Sequence, residues 1–259
     1  MKKTALITGA SSGFGYEFAK IFAANGYDLV LTARNQEKLK ALAAELKEKN
    51  GAEVFVIVKD LSQKDAALDI FTETEQAGID VTVLVNNAGF GDYGRYADTD
   101  WEKQLKMVTV NIVALMQLTR LYLPQMRRRN NGKILNVASM AAFTPGPYMS
   151  VYYASKAFVL SFSEALTGEL KGTGVTVTAV CPGPAATGFE KVAGSGARKL
   201  FGALTPASAK ETALFSYGAL TRGKIVAVPG AMNKISSIGH RFLPRSVLRA
   251  IILRLQGED

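Results

Sequence analysis

Residues 4–15, TALITGASSGFG, join a short apolar run to a glycine-rich turn that opens an amphipathic run ending near Ala24. This order predicts a strand, a turn and a helix. Glycines in the turn permit a sharp bend, a close approach of the backbone to a pyrophosphate, and tight packing of the helix on the strand. Surface turns use the same residues, so the turn is informative because of its place after a first strand. The residues predicted to form this phosphate-binding loop are Gly9, Ser11, Ser12, Gly13, Phe14 and Gly15.

Apolar runs alternate with helical patterns along the rest of the chain, as in residues 28–32 followed by 36–49. We therefore predict an α/β protein with a doubly wound parallel sheet, the Rossmann fold, of about seven strands with helices on both faces. Residues 1–259 are expected to form one domain. Within it, residues 188–222 are assigned to a substrate lid and residues 232–259 to a C-terminal helical tail.

Composition narrows the class of protein. Of the 259 residues 48% are hydrophobic, which is enough for a large core. A single cysteine, Cys181, excludes an internal disulfide framework and a cysteine-based zinc site, and we expect no metal site. The apolar run at the N-terminus is too short for a signal peptide and no long uncharged apolar run suggests a spanning helix, so a cytoplasmic protein is expected.

We predict that the catalytic acid/base residues lie within residues 139–156, SMAAFTPGPYMSVYYASK. Tyr152 and Lys156 are four residues apart and share one face of a helix. A free phenol is a poor acid or base at neutral pH, but an adjacent ammonium stabilises the phenolate and lowers the pKa. Ser139 ends the apolar run before them, so its hydroxyl is expected to meet this helix. Tyr148 and Tyr153 do not lie four residues before Lys156 and are not assigned this role.

Three motifs together resemble the short-chain dehydrogenase/reductase family in its short, single-domain form. They are Tyr-Tyr-Ala-Ser-Lys-Ala at residues 152–157 with Ser139 upstream, Thr-Gly-x-x-x-Gly-x-Gly at residues 8–15, and Asn-Asn-Ala-Gly at residues 86–89. The resemblance covers most of the chain. It implies an oxidoreductase that interconverts a carbonyl and an alcohol by hydride transfer with a nicotinamide cofactor.

The resemblance also implies four catalytic residues. Tyr152 exchanges the proton, Ser139 hydrogen-bonds the substrate oxygen, and Lys156 lowers the tyrosine pKa and holds the ribose hydroxyls. Asn111 supports a water that links to Lys156 in a proton relay. Asn111 lies among Val110 and Ile112 in an apolar helix, where a buried amide must be hydrogen-bonded, and a satisfied core asparagine is the alternative.

Further cofactor contacts follow from the same resemblance. They are Asp60 and Leu61 at the adenine ring, Asn87, Ala88 and Gly89 at the ribose, and Pro182, Gly183 and Thr187 at the nicotinamide carboxamide and nearby phosphate. Asp60 has a second interpretation as the cap of a helix that begins near Ser62. Asn86 is expected to tie neighbouring strands together.

The end of the second predicted strand bears on which dinucleotide binds. Ala33 stands where the family's NAD-selective acid would be expected, and Arg34 follows it. An acid accepts a hydrogen bond from the ribose 2′-hydroxyl, whereas a 2′-phosphate requires a cation and is repelled by an acid. NADP(H) is therefore favoured over NAD(H). An Arg34 that only caps a surface turn is the alternative.

The net charge of +9 is compatible with anionic partners, although no nucleic-acid motif accompanies it. The tail from His240, HRFLPRSVLRAIILRLQ, reads as a basic amphipathic helix that begins near Pro244. Such a helix packs over a substrate pocket, packs on a partner subunit, or lies on an anionic membrane as a peripheral contact. A homodimer or homotetramer is implied by the resemblance, with contacts through the helices around Asn111 and Tyr152.

The substrate is a small-molecule carbonyl or alcohol, and the apolar residues of the loop 141–151 and of the tail favour a hydrophobic or acyl compound. A 3-oxoacyl, steroid, sugar or xenobiotic carbonyl all fit the sequence. The alternative from another class is a non-catalytic NADP-binding sensor or scaffold. Such proteins usually lose catalytic residues, whereas Asn111, Ser139, Tyr152 and Lys156 are all present here.

Overall fold

A seven-stranded parallel sheet lies at the centre of the protein, seen here in a computed structural model that describes residues 3–185, 207–239 and 242–256. Its strands are β1 (Thr4–Thr8), β2 (Asp28–Ala33), β3 (Val54–Val58), β4 (Val81–Asn86), β5 (Gly132–Val137), β6 (Val175–Val180) and β7 (Val226–Ala227). They are ordered β3-β2-β1-β4-β5-β6-β7. The order reverses between β1 and β4, and ligands of open parallel sheets bind outside the carboxyl ends of the strands at such a point.

Helices cover both faces of the sheet. They are α1 (Gly13–Ala24), α2 (Gln36–Asn50), α3 (Ala66–Gln76), α4 (Trp101–Val108), α5 (Leu115–Arg128), α6 (Ser150–Glu169), α7 (Ala209–Thr221), α8 (Ala231–Gly239) and α9 (Arg245–Gln256). A π-helical segment, Thr109–Ala114, joins α4 to α5, and short 3₁₀ helices lie at Tyr96–Asp98 and Met140–Phe143.

Two apolar cores result, one on each side of the sheet. Phe18 and Phe22 of α1 pack with Leu39 of α2 on one face, and Ile70, Leu118 and Tyr122 pack on the other. The central strands are buried on both sides and so read as continuous apolar runs. The predicted doubly wound parallel sheet with helices on both faces is confirmed.

The longest helix runs without a break from Trp101 to Arg128, and its length and apolar composition alone would permit a membrane crossing. Core helices of soluble proteins meet the same criterion. This helix packs on the sheet, and the buried Tyr122 hydroxyl hydrogen-bonds Thr74 of α3 at 2.7 Å. The structure therefore uses it as a core helix.

One predicted helix boundary is wrong. The helix expected to begin near Ser62 begins at Ala66, after Asp65, whose backbone has a left-handed conformation (φ 63°). Asp60 accepts a hydrogen bond from the Ser62 amide at 2.9 Å and so stabilises the turn before α3 rather than capping the helix. This leaves Asp60 at the carboxyl end of β3, on the side of the cleft described next.

Candidate active site

A cleft of about 900 Å³ opens at the carboxyl ends of the strands and gathers most of the residues predicted to act together. Predicted site residues that line it are Gly9, Ser11, Ser12, Gly13, Phe14, Arg34, Asp60, Leu61, Asn87, Ala88, Gly89, Ser139, Tyr152, Lys156, Pro182 and Gly183. Gly15 and Asn111 lie behind this lining. Thr187 and residues 188–206 of the predicted lid lie outside the described residues.

The glycine loop is packed so tightly that Gly9 and Gly15 have no room for a Cβ atom. Gly9 has φ +66°, and a Cβ atom on it would lie 3.0 Å from Asn87 Nδ2. A Cβ atom on Gly15 would lie 2.3 Å from the Gly9 carbonyl oxygen, which is closer than real side chains approach. Gly13 has φ +54° at the first residue of α1. The loop thus brings the amino end of α1 to the cleft, where its free amide groups favour an anion.

Thr8, at the end of β1, fixes the loop that follows β4. Its hydroxyl accepts hydrogen bonds from the amides of Asn87 and Ala88, both at 2.9 Å. The Asn87 side chain returns a hydrogen bond to the Thr8 carbonyl oxygen at 2.8 Å. These contacts hold the Asn-Asn-Ala-Gly segment against the glycine loop. The sequence analysis did not select Thr8, because a threonine at the end of an apolar strand gives no distinct signal.

At the end of β2, Arg34 is exposed at the rim of the cleft. The following Asn35 caps α2 by accepting a hydrogen bond from the Lys38 amide at 2.9 Å. Helix capping is therefore supplied by Asn35, and it does not require the Arg34 guanidinium. Lys59 also lines this part of the cleft and pairs with Asp69 at 3.0 Å.

Tyr152 projects from the first turn of α6 and is partly buried in the cleft. Burial raises its pKa to about 12, and a hydrogen bond with Ser139 opposes that rise in part. Ser139 also accepts a hydrogen bond from the Ala141 amide at 3.1 Å, which fixes its side chain at the start of the 3₁₀ helix. The two hydroxyls therefore meet, as the strand-end position of Ser139 predicted.

The structure does not show the predicted lowering of the Tyr152 pKa by Lys156. Lys156 Nζ lies 5.9 Å from the centre of the Tyr152 ring and donates a hydrogen bond to the Val137 carbonyl oxygen at 2.8 Å. Burial lowers the pKa of Lys156 to about 8, so the ammonium itself is destabilised. The pKa of Tyr152 is raised rather than lowered, because burial dominates and the hydrogen bond with Ser139 opposes it only in part.

Asn111 lies in the π-helical segment and is fully buried. Its Nδ2 donates to the Phe90 carbonyl oxygen and to Ser155 Oγ, both at 3.0 Å, and its Oδ1 accepts from the Phe90 amide at 3.1 Å. A Cβ atom on Gly89 would lie 3.0 Å from Asn111 Oδ1 and 3.3 Å from Lys156 Nζ. Asn111 therefore joins the loop after β4 to the helix that carries Tyr152.

Ser155 is a site residue that the sequence analysis missed. Its hydroxyl accepts from Asn111 Nδ2 and donates to the Tyr152 carbonyl oxygen at 2.7 Å.

A further polar contact links the central strands, because Asn86 Nδ2 donates to Asn136 Oδ1 at 2.9 Å. Asn86 thus links β4 to β5, as expected. The partner Asn136 carried no signal, since a lone amide in an apolar strand does not reveal its contacts.

Cys181 is buried at the end of β6, and burial raises the pKa of its thiol to about 12. It is therefore a neutral core thiol at physiological pH.

These observations fit a dinucleotide. The glycine loop leaves a cradle that a single Cβ atom would fill, the amino end of α1 offers free amides to a pyrophosphate, and the cleft continues past Gly89 to Ser139 and Tyr152. The fold and the cleft together define a dinucleotide-binding protein of the Rossmann type.

Comparison with known proteins places the chain in one family. The sequence profile of the short chain dehydrogenase family matches residues 3–197. The chain belongs to this family, whose members bind a nicotinamide cofactor.

Individual relatives are named as reductases and dehydrogenases. A very-long-chain 3-oxoacyl-CoA reductase of Anas platyrhynchos is 39% identical over 194 residues, which are 73% of this chain and 61% of that protein. The chain thus spans about three fifths of that relative's length. A 7beta-hydroxysteroid dehydrogenase structure has TM-score 0.86 and 30% identity, covering 96% of both chains. A short-chain dehydrogenase from Sphingobium yanoikuyae in complex with NADPH has TM-score 0.83 and 32% identity, covering 93% of this chain and 94% of that one.

Proposed function

We propose that this protein is an NADP(H)-dependent oxidoreductase that interconverts a carbonyl and an alcohol. The observation that carries the proposal is the meeting of Ser139 and Tyr152 in the same cleft as the glycine loop. A bound nicotinamide dinucleotide supplies or accepts the hydride at this end of the cleft. A binding protein without turnover would not need two hydroxyls and a buried lysine at that place.

The proton is assigned to Tyr152. With a pKa near 12 the phenol is fully protonated at neutral pH, and it can donate to the oxygen of a carbonyl substrate as negative charge develops there. Ser139 hydrogen-bonds the same oxygen and orients it. In the opposite direction the Tyr152 phenolate accepts the proton of the alcohol.

Lys156 and Asn111 complete the proposed catalytic set. The Lys156 ammonium stabilises the phenolate formed when Tyr152 gives up its proton, and it holds the ribose hydroxyls of the cofactor. The Asn111 amide is already hydrogen-bonded to Phe90 and Ser155, so its proposed support of a relay water to Lys156 rests on the position of its segment beside Gly89. Lys156 thus takes part in both cofactor binding and proton transfer. Tyr152 is likewise proposed to contact the cofactor as well as to transfer the proton.

NADP(H) rather than NAD(H) is proposed because the exposed Arg34 lines the cleft after β2 and Ala33 provides no acid to repel a 2′-phosphate. Asp60 and Leu61 are proposed to hold the adenine, and Asn87, Ala88 and Gly89 the ribose. Pro182, Gly183 and Thr187 are proposed to contact the nicotinamide carboxamide and phosphate.

The proposed substrate is a hydrophobic or acyl carbonyl compound. The wall beside Tyr152 is apolar, with Met140, Ala141 and Met149 lining the cleft. The relatives named as a 3-oxoacyl-CoA reductase and a hydroxysteroid dehydrogenase support substrates of this class. Residues 1–259 are proposed to act as one domain. Of the predicted lid at residues 188–222, only the part before α7 is proposed to act as a lid, because Ala213 and Leu220 of α7 are buried in the core with Phe22 of α1.

A homodimer or homotetramer in the cytoplasm is proposed. Val113 and Met116, on the long helix, and Phe158, on α6, expose apolar side chains on the outer surface of the helices around the site. Burial of these side chains against a second copy would remove apolar area from water.

A screen of ketones and alcohols, followed by NADPH absorbance, tests the function. Consumption of NADPH with at least one hydrophobic ketone is expected, and the reverse reaction with the matching alcohol and NADP⁺. NADPH binding without turnover on any of them would favour the sensor or scaffold alternative instead.

A further inference from the structure

Helix α8 is arranged with its polar side inward. Its buried residue is Ser237, and Asn233 on the same side donates a hydrogen bond to the Pro229 carbonyl oxygen at 2.9 Å. Asn233 also lies against Gly183, where a Cβ atom would be 2.6 Å from its Nδ2. The helix therefore docks on the loop after β6 through polar groups, which is the reverse of an ordinary surface helix.

The opposite side of α8 is apolar and faces solvent. Met232, Ile235 and Ile238 recur every three residues and so share one face. They are 71%, 65% and 50% exposed. Phe242, which follows α8, is 81% exposed. Exposed apolar side chains scattered singly need no explanation, but a contiguous set marks a surface that something else covers.

Helix α9 has an exposed apolar stripe of its own, together with further cations. Val247 and Ile251, one turn apart, are exposed, whereas Leu248 is buried and holds the helix to the protein. Arg254 lies beside this apolar stripe, whereas Arg245 and Arg249 lie on the far face of α9, since a residue advances about 100° along a helix. We call the apolar residues Met232, Ile235, Ile238, Phe242, Val247 and Ile251, with Lys234 and Arg254, the tail surface.

The charge of this part of the chain selects the partner. Residues 212–257 contain seven cations and no Asp or Glu, out of a net charge of +9 for the whole chain. The seven are Arg222, Lys224, Lys234, Arg241, Arg245, Arg249 and Arg254. A second copy of this chain is disfavoured as the cover, because a twofold interface would bring two such basic surfaces together. An anionic bilayer offers both an apolar layer and negative headgroups.

We propose that the tail surface binds the interface of anionic lipid membranes, with its apolar side chains inserted at the headgroup boundary and its cations on the lipid phosphates. The helices lie in the plane of the membrane, and α8 brings the Gly183 side of the cleft close to the bilayer. The proposal concerns where the protein resides and is independent of the reaction it catalyses.

Cosedimentation of the full chain with vesicles tests this. Binding is expected to vesicles of phosphatidylcholine with phosphatidylglycerol, to weaken with salt, and to be weak with phosphatidylcholine alone. The variant Lys234→Gln/Arg254→Gln should lose about 30-fold in partitioning, because each cation near an anionic surface contributes about fivefold. The variant Ile235→Ser/Phe242→Ser/Ile251→Ser should also lose about tenfold or more through the apolar contribution.

The matched control Lys40→Gln/Arg127→Gln removes the same charge from exposed positions elsewhere and should bind like the unchanged chain. Thermal unfolding and NADPH binding show that each variant is folded. Equal partitioning of the unchanged chain and both tail variants would overturn the proposal. Equal binding to neutral and anionic vesicles would also overturn it, as would a lipid-independent dimer that the tail substitutions dissociate.

Discussion

Asn111 Nδ2 donates a 3.0 Å hydrogen bond to Ser155 Oγ, and the Ser155 hydroxyl in turn donates to the Tyr152 carbonyl oxygen at 2.7 Å. The loop after β4, the π-helical segment and the first turn of α6 are thereby held as one unit. The position of the Tyr152 phenol depends on this unit, although Ser155 itself does not line the cleft.

Ser155→Ala tests this positioning role. It leaves the buried Asn111 Nδ2 with one partner fewer, which costs about 1–3 kcal/mol of stability. We expect kcat to fall about tenfold, equivalent to about 1.4 kcal/mol in the barrier, while the Kd for NADPH stays unchanged. Ser155→Thr retains the hydroxyl and should restore kcat. Ser216→Ala is the control, because it removes a similar buried hydrogen bond within α7, away from the cleft. Equal effects on kcat from Ser155→Ala and Ser216→Ala would show that the role is only structural.

Gly15 and Gly168 form a matched pair of helical glycines. A Cβ atom on Gly15 would lie 2.3 Å from the Gly9 carbonyl oxygen, whereas a Cβ atom on Gly168 meets nothing within 4 Å. Gly15→Ala should destabilise the protein by about 1–3 kcal/mol, because the backbone must move, and weaken NADPH binding. Gly168→Ala should be neutral or stabilise by up to about 1 kcal/mol. Denaturant unfolding and NADPH titration measure both, and an unperturbed Gly15→Ala protein would refute the tight loop.

Arg34→Ala tests the assignment of the cofactor. Loss of charge-assisted hydrogen bonds to a 2′-phosphate costs about 1.5–3 kcal/mol, so the Kd for NADPH should rise about 10- to 100-fold. The Kd for NADH should not change, and Arg127→Ala should change neither. Fluorescence titration with the two dinucleotides gives the ratio. A ratio that is the same before and after the substitution would show that Arg34 does not read the phosphate.

Lys156→Met tests the electrostatics of the buried ammonium. The pKa of Lys156 is lowered from 10.5 to about 8 by burial, so between these values the unfolded chain binds more protons than the folded one. The contribution of Lys156 to the free energy of unfolding therefore rises with pH through this window. Lys156→Met should be more stable than the unchanged chain at pH 7, and the difference should shrink as the pH approaches 10.5. Denaturant unfolding at several pH values checks this, and a difference that does not vary with pH would contradict the lowered pKa.

Much of the fold could be predicted because its signals are local. The central strands are buried on both faces and therefore read as apolar runs, and the loop after β1 has glycine at Gly9 and Gly15, where a Cβ atom would have no room. The start of α3 was mispredicted because the backbone before it is unusual. Asp65 has a left-handed backbone that no local pattern reveals, and Asp60 serves a turn instead.

Most residues of the predicted site line one cleft, but their contacts could not be predicted. The spacing of Tyr152 and Lys156 places both on one helix face, yet it does not show that Lys156 donates to Val137 or that burial dominates the phenol. Thr8 and Ser155 escaped notice because their partners are distant in sequence. Periodicity suggested an amphipathic tail, but only the structure shows that α8 turns its polar side inward.

The central claim is that the Tyr152 hydroxyl transfers the proton next to the bound cofactor. Its most direct test is the turnover and NADPH affinity of Tyr152→Phe, measured on a ketone that the unchanged protein reduces. Tyr148→Phe is the control, because Tyr148 stacks on Tyr93 at a centroid distance of 5.6 Å and does not line the cleft. The account predicts that Tyr152→Phe loses turnover by at least about 100-fold, the lower range for general acid catalysis, with NADPH affinity nearly unchanged and with Tyr148→Phe active. Turnover by Tyr152→Phe at the rate of the unchanged protein would contradict it.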